Sequence, residues 1–317
     1  MQLVRIKLPA RDKLRQAVKQ VLRPLGLLGP TVRLLERIEA AKSRRHELGA
    51  VSGLGHSTPQ ALDDRTMLDK STVDLLKREL TTPVPPEDFI FVVNGHRDTA
   101  NFAASRNATV SNIIKLLAGA GVDYRQFRSL LDFGCGCGRV LAGWEHLIGD
   151  GTKLCGFDIN PLLIKFCQEN IPFAKTAKSG YFPPLPIADG SVDFAYAASV
   201  WTHLSLQAAA QWAGEFARVI APGGTALVSY HGSYFAPTLA QLSKEGSQQL
   251  EERGFYMHLH GAAGDTFEGS NNYATFMTSA FFRQLFAGFD ILRIYPGVSH
   301  GPNPFASFQD IAVLRRI

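Results

Sequence analysis

Apolar residues fall into two textures along the chain, with the change near residue 87. Before it, helical spacing dominates. A basic stretch over 10–22 reads as a helix broken by Pro24, Gly26, Gly29 and Pro30. A second helical stretch over 31–47 carries Val32, Leu34, Leu35, Ile38 and Ala41 on one stripe. Residues 48–66 are rich in Gly, Ser, Thr and Pro and read as a linker, and a short helix over 70–80 stops before Pro83, Pro85 and Pro86. Beyond 87, short apolar runs alternate with amphipathic ones. Strands are predicted over 129–133, 153–157, 192–197, 224–230, 289–295 and 309–315, and helices over 108–119, 139–148, 161–169, 205–219 and 278–287.

Strand–helix alternation at this spacing predicts an α/β, doubly wound Rossmann-like sheet, mostly parallel, with a helical N-terminal extension. No helix separates the last two predicted strands, so a hairpin through 297–304 would add one antiparallel strand. The expected division is 1–86 as basic helical extension and linker and 87–317 as the α/β domain, interrupted by an insertion at about 231–277.

The chain has 317 residues, 45% of them hydrophobic and 19% charged, an ordinary soluble composition. No apolar run is long enough to span a bilayer, and the first residues lack the apolar core of a secretory signal. A cytoplasmic location follows as an expectation. The net charge of +5 is uneven: residues 1–50 hold twelve Lys or Arg and four acids, which is +8, leaving −3 for the rest. A basic arm of this kind suits peripheral contact with an anionic membrane, or equally a solvated helical surface. All four cysteines, Cys135, Cys137, Cys155 and Cys167, fall in one short stretch. Two of them occupy variable positions of a glycine turn, so small buried hydrophobes account for them better than zinc does, and no metal is expected.

The densest chemistry is Leu130-Leu131-Asp132-Phe133-Gly134-Cys135-Gly136-Cys137-Gly138-Arg139, an apolar strand running through alternate glycines into a helix. Glycines there permit a sharp turn and close approach of a ligand, and the helix start offers N–H groups to a carboxylate. About twenty residues on, Leu154-Cys155-Gly156-Phe157-Asp158 ends a second strand in an acid able to accept both hydroxyls of a ribose. A dinucleotide fingerprint would need glycine at position 139; arginine stands there.

The pattern D-x-G-x-G-x-G followed by that acid resembles the class I S-adenosylmethionine-dependent methyltransferases. Two further runs are similar to the same family: Leu185-Pro186-Ile187-Ala188-Asp189-Gly190-Ser191-Val192-Asp193-Phe194 before the fourth strand and Arg218-Val219-Ile220-Ala221-Pro222-Gly223-Gly224 before the fifth. The resemblance implies S-adenosylmethionine as cofactor. Asp132, Gly134, Cys135 and Gly136 would border its methionine part, Asp158 would hold the ribose, and Ile159 would pack on the adenine. Ser199 after the fourth strand joins this set. Tyr181 stands where many relatives carry an acid near the adenine amine, and Phe182 beside it would supply stacking instead.

Two histidines are candidates for removing the acceptor's proton. His203 lies in Ser199-Val200-Trp201-Thr202-His203-Leu204, similar to a run seen in relatives that act on small molecules or glycans, and His231 follows the fifth strand. Neutral imidazole suits a general base near pH 7, although either ring could simply close a loop. The aromatic-rich insertion is expected to lie over the site as a lid or acceptor wall, with local packing the commoner fate of its rings. His96 or Arg97 could touch an anionic substrate, surface loop being the default. The expected function is O-methylation of a small molecule or a glycan or lipid-linked saccharide. Nucleic-acid or protein methylation, a cofactor-binding scaffold without activity and a nicotinamide oxidoreductase are the alternatives. Nucleic acid is the disfavoured partner, because Ala197-Ala198-Ser199-Val200 replaces the Asn/Asp-Pro-Pro-aromatic run of amino-methylating enzymes.

Overall fold

The structure is a computed structural model that describes residues 68–232, 235, 239, 243–259, 268, 273–297 and 309–317. The helices expected over 10–22 and 31–47 and the linker over 48–66 lie outside the described residues. In chain order the strands are β1 Ser129–Phe133, β2 Lys153–Asp158, β3 Lys175–Lys178, β4 Val192–Ala197, β5 Ile220–Tyr230, β6 Phe255–Leu259, β7 Tyr273–Met277, β8 Phe289–Tyr295 and β9 Asp310–Arg316. The α-helices are α1 Lys70–Leu76, α2 Glu87–Asn94, α3 Thr99–Gly119, α4 Arg139–Gly143, α5 Pro161–Asn170, α6 Leu206–Val219, α7 Lys244–Arg253 and α8 Ser279–Leu285.

Seven strands form one sheet in the order β3-β2-β1-β4-β5-β9-β8. Strands β3, β2, β1, β4 and β5 pair in parallel, and β9 runs antiparallel to both its neighbours. The expected single antiparallel strand is therefore β9, slotted between β5 and β8. Central strands are covered on both faces and read as continuous apolar runs, as in Val192–Ala197. Along β1, Leu131 and Phe133 face a core shared with α6 and α8, while Leu130 faces a second core built with α3, α4 and α5. Alternation puts the Asp132 side chain on that second face.

Several boundaries differ from expectation for local reasons. Helix α3 starts at Thr99 rather than 108, because Asp98 caps it by accepting from the Asn101 amide at 2.9 Å. Helix α4 ends at Gly143, where a side chain would sit 2.7 Å from the Arg106 carbonyl of α3. The run Phe89–Asn94 is helical and is stopped by Gly95 in the left-handed conformation, φ 74°. The insertion holds α7 and an antiparallel pair, β6 with β7. Phe235, Leu239, Leu250, Ala274 and Phe276 make a small core of their own there, so local packing accounts for these rings.

Candidate active site

The turn after β1 is built from glycines because its backbone lies in the left-handed region, with φ 78° at Gly134, 55° at Gly136 and 80° at Gly138. Neighbours crowd in where side chains would be. A Cβ on Gly134 would stand 2.3 Å from Cγ2 of Val200, and one on Gly136 2.9 Å from Cγ2 of Val93 in α2. Thus α2 closes over the turn from one side and the segment after β4 from the other.

The amides of Gly134, Cys135 and Gly136 are already bonded within the protein. Gly134 and Cys135 both donate to the Phe157 carbonyl, at 2.7 and 3.1 Å, and Gly136 donates to Oδ2 of Asp158 at 2.9 Å. Oδ1 of Asp158 accepts from the Asn160 amide at 2.8 Å. Burial raises the Asp158 pKa, and the two backbone donors pull it back. A carboxylate oxygen accepts more than one hydrogen bond, so each oxygen keeps capacity for a hydroxyl.

Asp132 is 2% exposed. The Tyr196 hydroxyl bonds its carboxylate and in turn accepts from Trp144 Nε1 at 3.1 Å, but Oδ2 is sealed without a partner. Burial pushes its pKa up to about 7 against the pull of Tyr196 and Arg139. Buried polar atoms in native proteins find partners, so an unpartnered carboxylate oxygen at the end of β1 marks a place for a donor such as an ammonium group. The thiol of Cys135 lies on the far side of the turn, within 3.0 Å of where Gly156 would carry a Cβ, so only its backbone can border a ligand.

Ile159 is partly buried beside Asp158, whereas Phe182 is 38% exposed. Ser199 has φ 59°, rare for a residue with a side chain. Its amide donates to Ser229 Oγ at 2.8 Å and its hydroxyl exchanges hydrogen bonds with the Gln309 amide group. Ser199 therefore bends the chain after β4, bringing Val200 onto Gly134. Gln309 and Ser229 are its supports, and no local pattern announces either.

His203 and His231 come together, although 28 residues separate them. Nδ1 of His203 donates to the Tyr273 carbonyl at 2.8 Å and Nδ1 of His231 to the Thr275 carbonyl at 3.1 Å. These are alternate carbonyls on the edge of β7 facing away from β6, and the Met277 amide on the same edge donates to the His231 carbonyl at 2.9 Å. Both bonds fix the proton on Nδ1 and leave Nε2 with its lone pair. Neither Nε2 has a partner among the described residues, neither is among the sealed polar atoms, and both residues are only partly buried. Burial lowers both pKa values; that of His231 falls to about 3, with neighbouring His203 as the second cause. His231 also lies against Phe235 and Phe276, with ring centroids at 4.3 and 5.2 Å.

His96 and Arg97 do not join this group. His96 accepts from the Asp98 amide at 3.2 Å, and Arg97 pairs with Asp88 and lies over the Phe91 ring. Cys137 and Cys167 are buried free thiols, as is Cys135.

Residues 131–228 match the family described as a methyltransferase domain. The bifunctional biotin biosynthesis protein BioHC of Cellvibrio japonicus is 27% identical over 266 residues, 80% of this chain and 48% of its own, so the chain spans about half the length of that relative. Among solved structures, an S-adenosylmethionine-dependent methyltransferase of Methanosarcina mazei aligns with TM-score 0.46 and 17% identity over 61% of this chain and 93% of its own. The 1,6-didemethyltoxoflavin-N1-methyltransferase of Burkholderia thailandensis aligns with TM-score 0.44 and 15% identity over 84% and 93%. Residues 131–228 are thus a methyltransferase domain, and its cofactor is S-adenosylmethionine. The residues around the glycine turn fit that cofactor: Asp158 for the ribose hydroxyls and the unpartnered oxygen of Asp132 for a positively charged donor.

Proposed function

We propose that the chain transfers a methyl group from S-adenosylmethionine to a hydroxyl of a small molecule or glycan. When bound, the cofactor supplies a methyl group already activated by its sulfonium. The protein must exclude water, align the acceptor and take its proton. One observation carries the reading: two neutral imidazoles, held in one tautomer by the β7 edge, stand just beyond β4 and β5, where doubly wound sheets bind ligands. His203 follows Val200 by one 3₁₀ turn, its amide donating to the Val200 carbonyl at 2.9 Å, and Val200 covers Gly134. His203 is therefore the general base, accepting the hydroxyl proton at Nε2.

Hairpin β6–β7 serves as the wall that anchors both rings. A hydroxyl acceptor agrees with this chemistry, since a carboxylate needs no base and would face two lone pairs. The charge of +8 over residues 1–50 supports contact with an anionic membrane, which suits a lipid-linked saccharide. Among the described residues no helix is long and apolar enough to cross a membrane. The test is incorporation of isotopically labelled methyl from the cofactor into cell extract, with wild type against His203→Asn. Label in an alkali-stable ether is the expected product; label confined to protein, nucleic acid or carboxyl esters overturns the hydroxyl assignment.

A further inference from the structure

Hydroxyl transfer needs one base, yet the β7 edge presents two. His203 and His231 are anchored to carbonyls two residues apart on one strand, Tyr273 and Thr275. Alternate residues of an antiparallel strand repeat at about 6.8 Å, which sets the spacing of the two anchors. Their Nδ1 atoms are both donors, so both Nε2 atoms keep their lone pairs.

The pair is held neutral by its surroundings. Burial disfavours the charged form of each ring, and His203 further disfavours it in His231. Phe235 and Phe276 flank His231 with apolar surface, and no carboxylate is among the groups that raise either imidazole's pKa. Two lone pairs without a neighbouring cation repel an anionic ligand and call for two X–H donors. A metal ion is a poor candidate for the gap, since no group of three or more ligating side chains exists among the described residues.

Resting on the hydroxyl reading above, we propose that the acceptor carries two hydroxyls on adjacent carbons, one methylated with the help of His203 and the other held by His231. Oxygens on adjacent carbons lie about one hydrogen-bond length apart, and each reaches an imidazole over a further length of about 2.8 Å. The proposal requires the two Nε2 atoms to stand about as far apart as their anchors, about 6.8 Å, a span that three such links, bent at tetrahedral oxygens, can cover. A lone hydroxyl would leave one lone pair unmatched, and hydroxyls on more distant carbons would overreach. In the transfer, the O–H bond of the first hydroxyl breaks, its proton goes to Nε2 of His203, and the new O–CH₃ bond forms as the S–CH₃ bond breaks. The imidazolium then releases its proton to water. The second hydroxyl stays bonded to His231 throughout and fixes which oxygen is methylated.

Periodate cleaves adjacent diols and tests the proposal directly. Cell extract is oxidised with periodate, the excess is destroyed with ethylene glycol, and only then are the full chain and labelled cofactor added, because the cofactor's own ribose is an adjacent diol. Incorporation is expected to fall at least tenfold relative to mock-treated extract; incorporation that survives overturns the proposal. Calorimetry with S-adenosylhomocysteine runs alongside. No binding there would sink the methyltransferase reading itself, whereas binding without incorporation into untreated extract removes the hydroxyl reading and this inference with it.

The asparagine variants separate the roles, since an Asn side chain keeps a donor near the Nδ1 position and lacks Nε2. On the acceptor purified by its label, His203→Asn is expected to lower kcat at least a hundredfold, and His231→Asn to raise KM at least tenfold with kcat within a few-fold. An unchanged KM for His231→Asn, at unchanged unfolding temperature, overturns the assignment of His231.

Discussion

Gly136 and Asp158 hold each other in place: the glycine amide donates to the carboxylate at 2.9 Å, so the acid that closes β2 also fixes the turn that follows β1. The two motifs are one unit, and removing the carboxylate disturbs both. In Asp158→Ala the amides of Gly136 and Asn160 lose their acceptor, and the ribose loses its own. A hydrogen bond to a charged group is worth about 1.5–3 kcal/mol, so cofactor affinity should weaken roughly ten- to a hundredfold. Asp158→Asn, which keeps one acceptor oxygen, should fall between. Calorimetry decides, and equal affinity in all three proteins would rule out this cofactor site.

Gly134 and Val200 make a second close relationship. Gly134→Ala suffers twice, from φ 78° and from a Cβ placed 2.3 Å from Val200 Cγ2. The left-handed conformation costs about 1–2 kcal/mol for a residue with a side chain. Val200→Ala relieves the collision and leaves that backbone cost. In urea unfolding, the double variant should therefore lose at least about 1 kcal/mol less than the sum of the single variants, because contacting residues couple. Simple additivity would mean that Val200 does not cover the turn.

These relationships were unequally legible in the sequence. The edges of β1 and β4 agree with their predicted ranges to the residue, because most of their positions are buried; those of β8 agree as well, although it is an outer strand with Asp290 exposed. Strand β3, Lys-Thr-Ala-Lys, escapes notice because a four-residue edge strand need not be apolar. The spacing from glycines to Asp158 makes the cofactor half of the site visible, since one βαβ unit builds it. The meeting of His203 and His231 is different in kind. It depends on which carbonyls β7 turns outward, and so on the register of a hairpin more than forty residues further along. Gln309 is equally silent, because it reaches Ser199 only once β9 has inserted beside β5.

The two loop motifs around β4 and β5 are joined by a buried ion pair. Glu215 is 5% exposed; its Oε1 accepts from the Leu185 amide at 2.6 Å, and both its oxygens accept from Arg218. Arg218 also donates to the carbonyls of Ile187 and Leu185 at 2.8 and 3.1 Å, so the Leu-Pro loop hangs on this one guanidinium. Removing one partner of a buried pair typically costs about 3–5 kcal/mol, and the 29% exposure of Arg218 argues for the lower part of that range. Glu215→Ala should lower the unfolding temperature by several degrees and leave cofactor affinity within about threefold below that temperature. A large affinity loss at unchanged stability would show that the pair acts on the site instead of the scaffold.

Asp132 and His231 should oppose each other in the pH dependence of stability. The His231 pKa falls from 6.5 to about 3 on folding. Between those values the unfolded chain binds a proton that the fold refuses, so this contribution is intact above about pH 6.5 and is lost as pH drops toward 3. The Asp132 pKa rises from 3.8 to about 7. There the fold keeps a proton that the unfolded chain releases, so stability is fully present below about pH 3.8 and is lost as pH rises through 7. Each slope is at most about 1.4 kcal/mol per pH unit, and in the shared window the two nearly cancel. His231→Asn removes one side of that balance: relative to wild type, its stability should decline as pH rises from about 4.5 to about 6. Asp132→Asn removes the other, and its stability should climb over the same interval. Urea unfolding of the three proteins at both pH values reads the two slopes directly, and variants that deviate from wild type in the same direction would show that at least one of the two buried groups titrates in the fold much as it does in the unfolded chain.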